Sequence, residues 1–305
     1  MLLSVPRRIR KNNVLIPYSS GQRCIGILAS TFSGKRWGGS KGAPTYGRTI
    51  ANKIVDRASI DHRIEIIAHR GFSGMAPENT ISAIEAAIEV GADAVEFDIQ
   101  FTSDGSAVLF HDDTLERTTN GSGLIREQTL EELAMLDAGS WFSPQFSGEP
   151  IPTLALALAR IDLRVTGVYA EVKGSAKHDE IRRIIQTVME TGDEARMVFI
   201  AIDWSVLDRL RALRSELNIG YIVQRASRAE EAIARASQDS RALINFDAKI
   251  LLDNPEVANY AIREGIDMVA WTVDDSIDAA RLLEVGVRRI TTNQVATLLR
   301  WKATL

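Results

Sequence analysis

The sequence predicts an α/β fold, a (β/α)8 TIM barrel with a small inserted subdomain and a basic N-terminal extension. The chain has 305 residues, a length that α/β barrels commonly use for one domain. From Arg63 onward, short β-branched segments alternate with amphipathic helical patterns. Eight such units fit into roughly 245 residues, which favours a closed barrel, because a doubly wound sheet usually has about five to seven strands.

Each predicted strand is a short apolar run between turn signals. The strands are predicted at residues 64–68, 94–100, 168–172, 197–201, 219–223, 242–246, 268–273 and 289–292. The first helix is the clearest, since Ile81, Ile84 and Ile88 recur at helical spacing between a Thr80 cap and Gly91. The other helices are predicted at residues 181–189, 205–213, 229–236, 255–263, 277–283 and 294–299.

A hairpin and a long connection interrupt the repeat. Asp104 and Gly105 predict a two-residue hairpin loop, which would place Asp98 opposite His111 on the returning strand. Residues 112–152 then contain one weak helical pattern and no clear strand. Because connections of this length in a compact domain usually have a function, we expect an insertion that covers the substrate.

The first sixty residues differ from the rest in charge. They contain eleven Lys or Arg and one acid, whereas the whole chain has a net charge of −4. We therefore expect a basic, poorly structured extension at residues 1–60 and the barrel at residues 61–305. One Cys cannot form an intrachain disulfide, and no apolar run is long enough to cross a bilayer. These features favour a cytoplasmic protein with no nucleic-acid partner, or an organellar one if the extension is a transit peptide.

Acidic side chains in a predicted strand indicate a cation site. Strand alternation places Glu96 and Asp98 on one face and the apolar Val95, Phe97 and Ile99 on the other. Acids are depleted in strands, and a barrel interior penalises adjacent carboxylates unless a cation neutralises them. The alternative is a solvated face of an edge strand.

The ends of two further strands bring more polar groups to the same rim. His69 and Arg70 follow the first strand, and Glu171 and Lys173 share a face at the end of another. Three carboxylates suit a hard cation, Mg²⁺ or Ca²⁺. Arg70 and Lys173 would attract phosphoryl oxygens, while His69 and His111 could supply a general base and a general acid.

Eight motifs in this order resemble the glycerophosphodiester phosphodiesterase family over residues 64–295. They are HRG at 69–71, PENT at 77–80, EFD at 96–98, DG at 104–105, HD at 111–112, LERTTNGSG at 115–123, EVK at 171–173 and WTV at 271–273. The resemblance implies a TIM barrel enzyme that hydrolyses a small glycerol-linked phosphodiester to glycerol 3-phosphate and an alcohol. It does not indicate the head group or the oligomeric state.

The resemblance also implies roles for individual residues. It implies that His69 and His111 are the acid/base pair, that Glu96, Asp98 and Glu171 bind the divalent cation, that Arg70 and Lys173 bind phosphate, that Glu78 and Asn79 support the site, and that Trp271 lines the substrate pocket. Family members usually have Thr-Asp-x-Pro after the eighth strand, whereas this chain has Asn293 in place of that aspartate. The same chemistry on a sugar phosphodiester or a lysophospholipid, or a non-catalytic phosphodiester-binding role, are the alternatives.

Overall fold

The computed structural model describes residues 63–305, which form a closed barrel of eight parallel strands surrounded by helices. The predictions for residues 1–60 lie outside the described residues. The strands are β1 (Glu65–Ala68), β2 (Ala94–Phe101), β3 (Ala107–Leu109), β4 (Gly167–Val172), β5 (Met197–Ala201), β6 (Asn218–Val223), β7 (Ala242–Asp247), β8 (Met268–Trp271) and β9 (Arg289–Thr292). All eight predicted barrel strands are confirmed, and β3 is the returning arm of the hairpin.

The helices lie between the strands. They are α1 (Ile81–Val90), α2 (Leu130–Leu133), α3 (Leu154–Arg160), α4 (His178–Thr191), α5 (Trp204–Leu213), α6 (Ala229–Ala236), α7 (Ala248–Asp253), α8 (Pro255–Arg263), α9 (Ser276–Glu284) and α10 (Val295–Lys302). Thr80 caps the start of α1 and Gly91 ends it, as predicted. The sequence analysis missed α3 and α7. In α3 the alternating Leu and Ala residues have a period of two, which hides the helix.

The barrel closes through β2, which is longer than its neighbours. Its first residues pair with β1, its last residues pair with the antiparallel β3, and its other edge pairs with β4 along almost its whole length. Val95, Phe97 and Ile99 face the surrounding helices and belong to the main hydrophobic core. Glu96 and Asp98 therefore face the barrel interior, and they are only 4% and 1% exposed, which excludes the solvated edge-strand alternative.

The predicted register of the hairpin is wrong by one residue. Leu109 pairs with Ile99, and the backbone amide of Phe110 donates to the carbonyl of Asp98 at 3.0 Å. Asp98 thus lies opposite Phe110 and not opposite His111. Gly105, with a φ of +76°, is the left-handed residue of a three-residue loop, whereas the sequence predicts a two-residue loop.

The connection at residues 112–152 packs around its own hydrophobic cluster. Phe110, Leu115, Ile125, Leu133 and Ile151 are among its buried members. The backbone amide of Ser82 at the start of α1 donates to Glu149 at 3.1 Å, so the connection is also tied to the barrel. Over residues 63–305, no helix has both the length and the apolar composition needed to cross a bilayer.

Candidate active site

A tight turn after β1 builds one side of the site. Arg70 has a φ of +56° and Asn79 a φ of +59°, which is uncommon for residues with a side chain. Gly71 has a φ of +74°, and a Cβ atom there would lie 2.6 Å from the backbone of Ala83. The backbone amide of Arg70 donates to Glu96 Oε2 at 2.9 Å, so the strained turn is held against β2.

Three carboxylates meet at the carboxyl-terminal ends of β2 and β4. One oxygen from each of Glu96, Asp98 and Glu171 lies within 4.8 Å of the other two. Asp98 and Glu171 are register partners on adjacent strands, and Glu96 precedes Asp98 by one strand repeat. Their spacing and their exclusively oxygen donors fit a hard divalent cation. These residues could hold such an ion.

Two cationic side chains stand next to the carboxylates. Lys173 Nζ lies 2.9 Å from Glu171 Oε1 and 3.1 Å from Asp98 Oδ1. Arg70 Nε lies 3.3 Å from Asp98 Oδ2. Asp98 is therefore the carboxylate that both cations contact.

Lys173 and Arg70 make the pKa of Asp98 differ from those of the other two acids. Burial, together with the charges of Asp98 and Glu171, raises the pKa of Glu96 well above its usual range. Burial and the charge of Asp98 raise the pKa of Glu171 to about 7. Burial acts on Asp98 in the same direction, but Lys173 and Arg70 outweigh it and lower the pKa of Asp98 to about 2. A divalent cation at this cluster would relieve the mutual repulsion of Glu96 and Glu171.

Asn79 and Glu78 support these groups from the loop before α1. Asn79 Nδ2 donates to Asp98 Oδ2 at 2.8 Å, and the Asp98 backbone amide donates to Asn79 Oδ1 at 3.0 Å. Glu78 Oε1 accepts from Arg70 Nη1 at 2.7 Å. The pair thus fixes one carboxylate and one cation of the site.

The two predicted histidines have different partners. His69 Nδ1 lies 2.8 Å from Asn293 Oδ1, whereas His111 Nδ1 lies 2.5 Å from Asp112 Oδ1. Burial and the positive charge of Arg70 lower the pKa of His69 to about 4. His69 is therefore neutral at pH 7. Its ring is hydrogen-bonded to the side-chain amide of Asn293 and not to a carboxylate.

Arg117, which the sequence analysis did not single out, connects Glu78 to Asp112, the residue that contacts His111. Arg117 Nε donates to Asp112 Oδ2 at 2.6 Å, and its two terminal nitrogens donate to Glu78 at 2.9 and 2.7 Å. The hydrogen bond between Arg117 and Asp112 lowers the pKa of Asp112 to about 2. Both residues lie in quoted motifs, but only the fold brings Glu78 to them.

A cleft opens between these groups. His69, Arg70, Glu96, His111, Glu171 and Lys173 line its polar side. Ile200, Ile202, Ile222 and Trp271 line the opposite, mostly apolar side. Asp98 lies beside the polar wall, while Glu78 and Asn79 stand behind it. His178, by contrast, is exposed on α4.

The chain matches known proteins over most of its length. The model of the Glycerophosphoryl diester phosphodiesterase family matches residues 69–297. A glycerophosphodiester phosphodiesterase of Caldanaerobacter subterraneus is 35% identical over 236 residues, which cover 77% of this chain and 96% of the relative. One of Bacillus subtilis is 29% identical over 246 residues, covering 76% and 84%.

A solved structure extends the similarity to the fold. An Oleispira antarctica phosphodiesterase in complex with the product sn-glycerol-3-phosphate has a TM-score of 0.73 and 29% identity, and the match covers 78% of this chain and 96% of that one. The family match spans the cleft and all the residues that line it. The chain therefore belongs to the glycerophosphoryl diester phosphodiesterase family of enzymes.

Proposed function

We propose that this chain hydrolyses glycerophosphodiesters to glycerol 3-phosphate and an alcohol, with a divalent cation and the His69/His111 pair. The observation that supports this proposal is a cleft lined by two carboxylates of the cluster, by the side chains of Arg70 and Lys173 and by two histidines. The third carboxylate, Asp98, lies beside it. Its elements match the parts that metal-assisted phosphodiester hydrolysis needs. The product named for the Oleispira antarctica structure supports the choice of substrate class.

Glu96, Asp98 and Glu171 would hold the cation, Mg²⁺ or Ca²⁺. Burial and the neighbouring carboxylates raise the pKa values of Glu96 and Glu171, and a hard divalent ion at the cluster would favour the charged form of both groups. When bound, the ion would polarise the phosphoryl oxygens and stabilise the charge that develops on them. Lys173 and Arg70 border the same cluster and would bind the remaining phosphoryl oxygens.

His69 is suited to accept a proton. Its Nδ1 faces the Asn293 oxygen, which can only accept a hydrogen bond, so a neutral ring carries the hydrogen on Nδ1 and the lone pair on Nε2. Nε2 would take the proton from the attacking hydroxyl, whether of water or of the substrate. The low pKa of the ring keeps this lone pair free at neutral pH.

His111 is suited to donate a proton. Its Nδ1 lies 2.5 Å from Asp112 Oδ1, and a carboxylate there accepts the hydrogen on Nδ1 and orients the ring. Its other ring nitrogen would protonate the leaving alkoxide as the phosphorus–oxygen bond breaks. Trp271 and the isoleucines across the cleft would pack against the carbon atoms of the substrate.

An activity panel tests this proposal. Purified protein is incubated with glycerophosphocholine, glycerophosphoethanolamine, glycerophosphoinositol, a lysophospholipid or a sugar phosphodiester, with Mg²⁺, Ca²⁺ or EDTA. We expect metal-dependent release of glycerol 3-phosphate from the glycerol diesters. Turnover of only the other two substrates would shift the proposal to the alternative phosphodiesters, and turnover in EDTA equal to that with metal would contradict the role of the cation.

Two variants and a matched control test the histidines. His69→Gln and His111→Gln should each lower kcat by at least about 100-fold, because general acid/base groups typically contribute about 10²–10⁴-fold. His178→Gln removes an exposed histidine and should leave kcat unchanged. Normal turnover by either of the first two variants would contradict its assigned role.

The cytoplasmic location and the covering role of residues 112–152 stay predictions.

A further inference from the structure

His69 ends a chain of hydrogen bonds that begins at Asp274. Asp274 Oδ2 accepts from Asn293 Nδ2 at 2.9 Å, and Asn293 Oδ1 lies 2.8 Å from His69 Nδ1. Asp274 Oδ1 also accepts from the Asn293 backbone amide at 2.8 Å and from Thr292 Oγ1 at 3.0 Å. Asp274 lies in the loop after β8, Asn293 follows β9, and His69 follows β1, so three strand ends contribute.

The chemistry of Asp274 determines which way the Asn293 amide points. A carboxylate accepts hydrogen bonds and donates none, so the amide must turn its NH₂ group toward Asp274. Its oxygen then faces His69. The hydroxyl of Ser73 donates to the same oxygen at 2.9 Å, which agrees with this orientation.

The orientation of the amide in turn selects the tautomer of His69. An oxygen at Nδ1 requires a hydrogen on Nδ1, which leaves the lone pair on Nε2. If the amide were rotated by 180°, its NH₂ group would face Nδ1 and would favour the tautomer with the hydrogen on Nε2. That tautomer has no lone pair left on Nε2 to accept a proton.

We propose that Asp274 is a positioning residue that acts through Asn293 to hold His69 in the Nδ1–H tautomer. This inference rests on the proposed role of His69 as the base. It follows from the asparagine at position 293 in particular. A carboxylate there would accept from His69 whichever of its oxygens faced the ring, whereas an amide has one productive face and needs a partner that selects it.

The variant Asp274→Asn separates this role from a structural one. The Oδ1 atom of the new side chain can still accept from the Asn293 backbone amide and from Thr292, so the loop keeps those contacts. Its NH₂ group, however, would face the NH₂ group of Asn293, and the Asn293 amide would turn over. We expect kcat to fall by about 10- to 100-fold, the range typical of changes to residues that orient metal-bound histidines, with KM and the melting temperature unchanged.

An exchange of the two side chains should restore activity. In the variant Asp274→Asn/Asn293→Asp, the amide at 274 donates to the carboxylate at 293, whose second oxygen accepts from His69. We expect kcat to recover to within about threefold of the wild-type value. Asp275→Asn is the matched control, because Asp275 caps α9 in the same loop and makes none of these contacts; its kcat should not change.

A spectroscopic measurement keeps this test independent of the proposed function. In ¹⁵N-histidine-labelled protein, the shifts of the two ring nitrogens of His69 report which one carries the hydrogen. We expect Nδ1–H in the wild type, Nε2–H in Asp274→Asn and Nδ1–H again in the exchanged variant. An unchanged tautomer in Asp274→Asn would overturn the inference, as would a loss of kcat that the exchange does not recover. Absence of turnover by the wild type would instead refute the proposed function and leave the tautomer measurement valid.

Discussion

The low pKa of His69 makes the stability of the protein depend on pH in a way that one substitution should remove. Burial and Arg70 lower the pKa of His69 from 6.5 to about 4 in the folded protein. In the unfolded chain the imidazole titrates near its ordinary value. Between these two pKa values the unfolded state binds more protons than the folded state. The contribution of His69 to the free energy of unfolding is therefore fully present above pH 6.5 and is lost as the pH falls toward 4.

The size of the effect follows from the two pKa values. One pKa unit corresponds to about 1.4 kcal/mol, so the full difference corresponds to about 3.5 kcal/mol. About 2 kcal/mol of it should be lost between about pH 7.5 and about pH 5. These figures are upper values, because His69 lines an open cleft where water screens part of its interaction with Arg70. The variant His69→Gln cannot take up this proton.

Urea unfolding of both proteins measures the difference. The free energy of unfolding of the wild type and of His69→Gln is determined with EDTA at about pH 7.5, pH 6 and pH 5. The wild type should lose stability relative to the variant, by up to about 2 kcal/mol at the lowest pH. Other acids titrate in both proteins and cancel in the comparison. Parallel curves, or a variant that loses more than the wild type, would refute the argument that burial and Arg70 keep this ring neutral.

Three further substitutions test other parts of the site. Gly71→Ala places a Cβ atom 2.6 Å from the backbone of Ala83 at a positive φ, and it should lower the free energy of unfolding by at least about 2 kcal/mol; a melting temperature equal to that of the wild type would show that the turn can relax. Phe97→Ala removes a fully buried ring from the core behind the carboxylates and should cost about 3–5 kcal/mol in urea unfolding, so a loss below about 1 kcal/mol would contradict the packing. Arg117→Ala removes a half-exposed cation, which should change stability by no more than about 1 kcal/mol but should lower kcat, because Asp112 loses the side chain that fixes it; unchanged kcat would argue against that bridge.

Local sequence patterns predicted most of the barrel because the forces that form its elements are local. The apolar residues of α1 and its caps at Thr80 and Gly91 lie within one segment, and the structure has the helix there. The predicted hairpin register was wrong because the register depends on the backbone angles at Gly105. An Asp-Gly pair is compatible with more than one loop length, so the sequence does not select between them. Helix α3 was missed because its Leu and Ala residues alternate with a period of two, which is the pattern of a strand. They form a helix here, and its buried side chains pack into the main hydrophobic core.

The candidate site was predictable wherever its residues sit at the ends of parallel strands. Such ends converge on one rim, so His69, Glu96 and Glu171 could be grouped from the strand pattern alone. The bond between His69 and Asn293 joins residues 224 positions apart. No periodicity connects them, and the direction of the Asn293 amide depends on Asp274, which lies in yet another loop.

The sequence by itself determined the barrel class and the face on which the acids lie, because a period of two and the strand order are properties of the chain. Only the tertiary structure decided how those acids differ. Glu96 and Asp98 are two residues apart on one face of β2, yet the pKa of Glu96 is raised and that of Asp98 is lowered. Lys173 and Arg70 come from other segments and both lie next to Asp98. In a buried site, the charge of a carboxyl group depends on which cations the fold brings within a few ångströms of it.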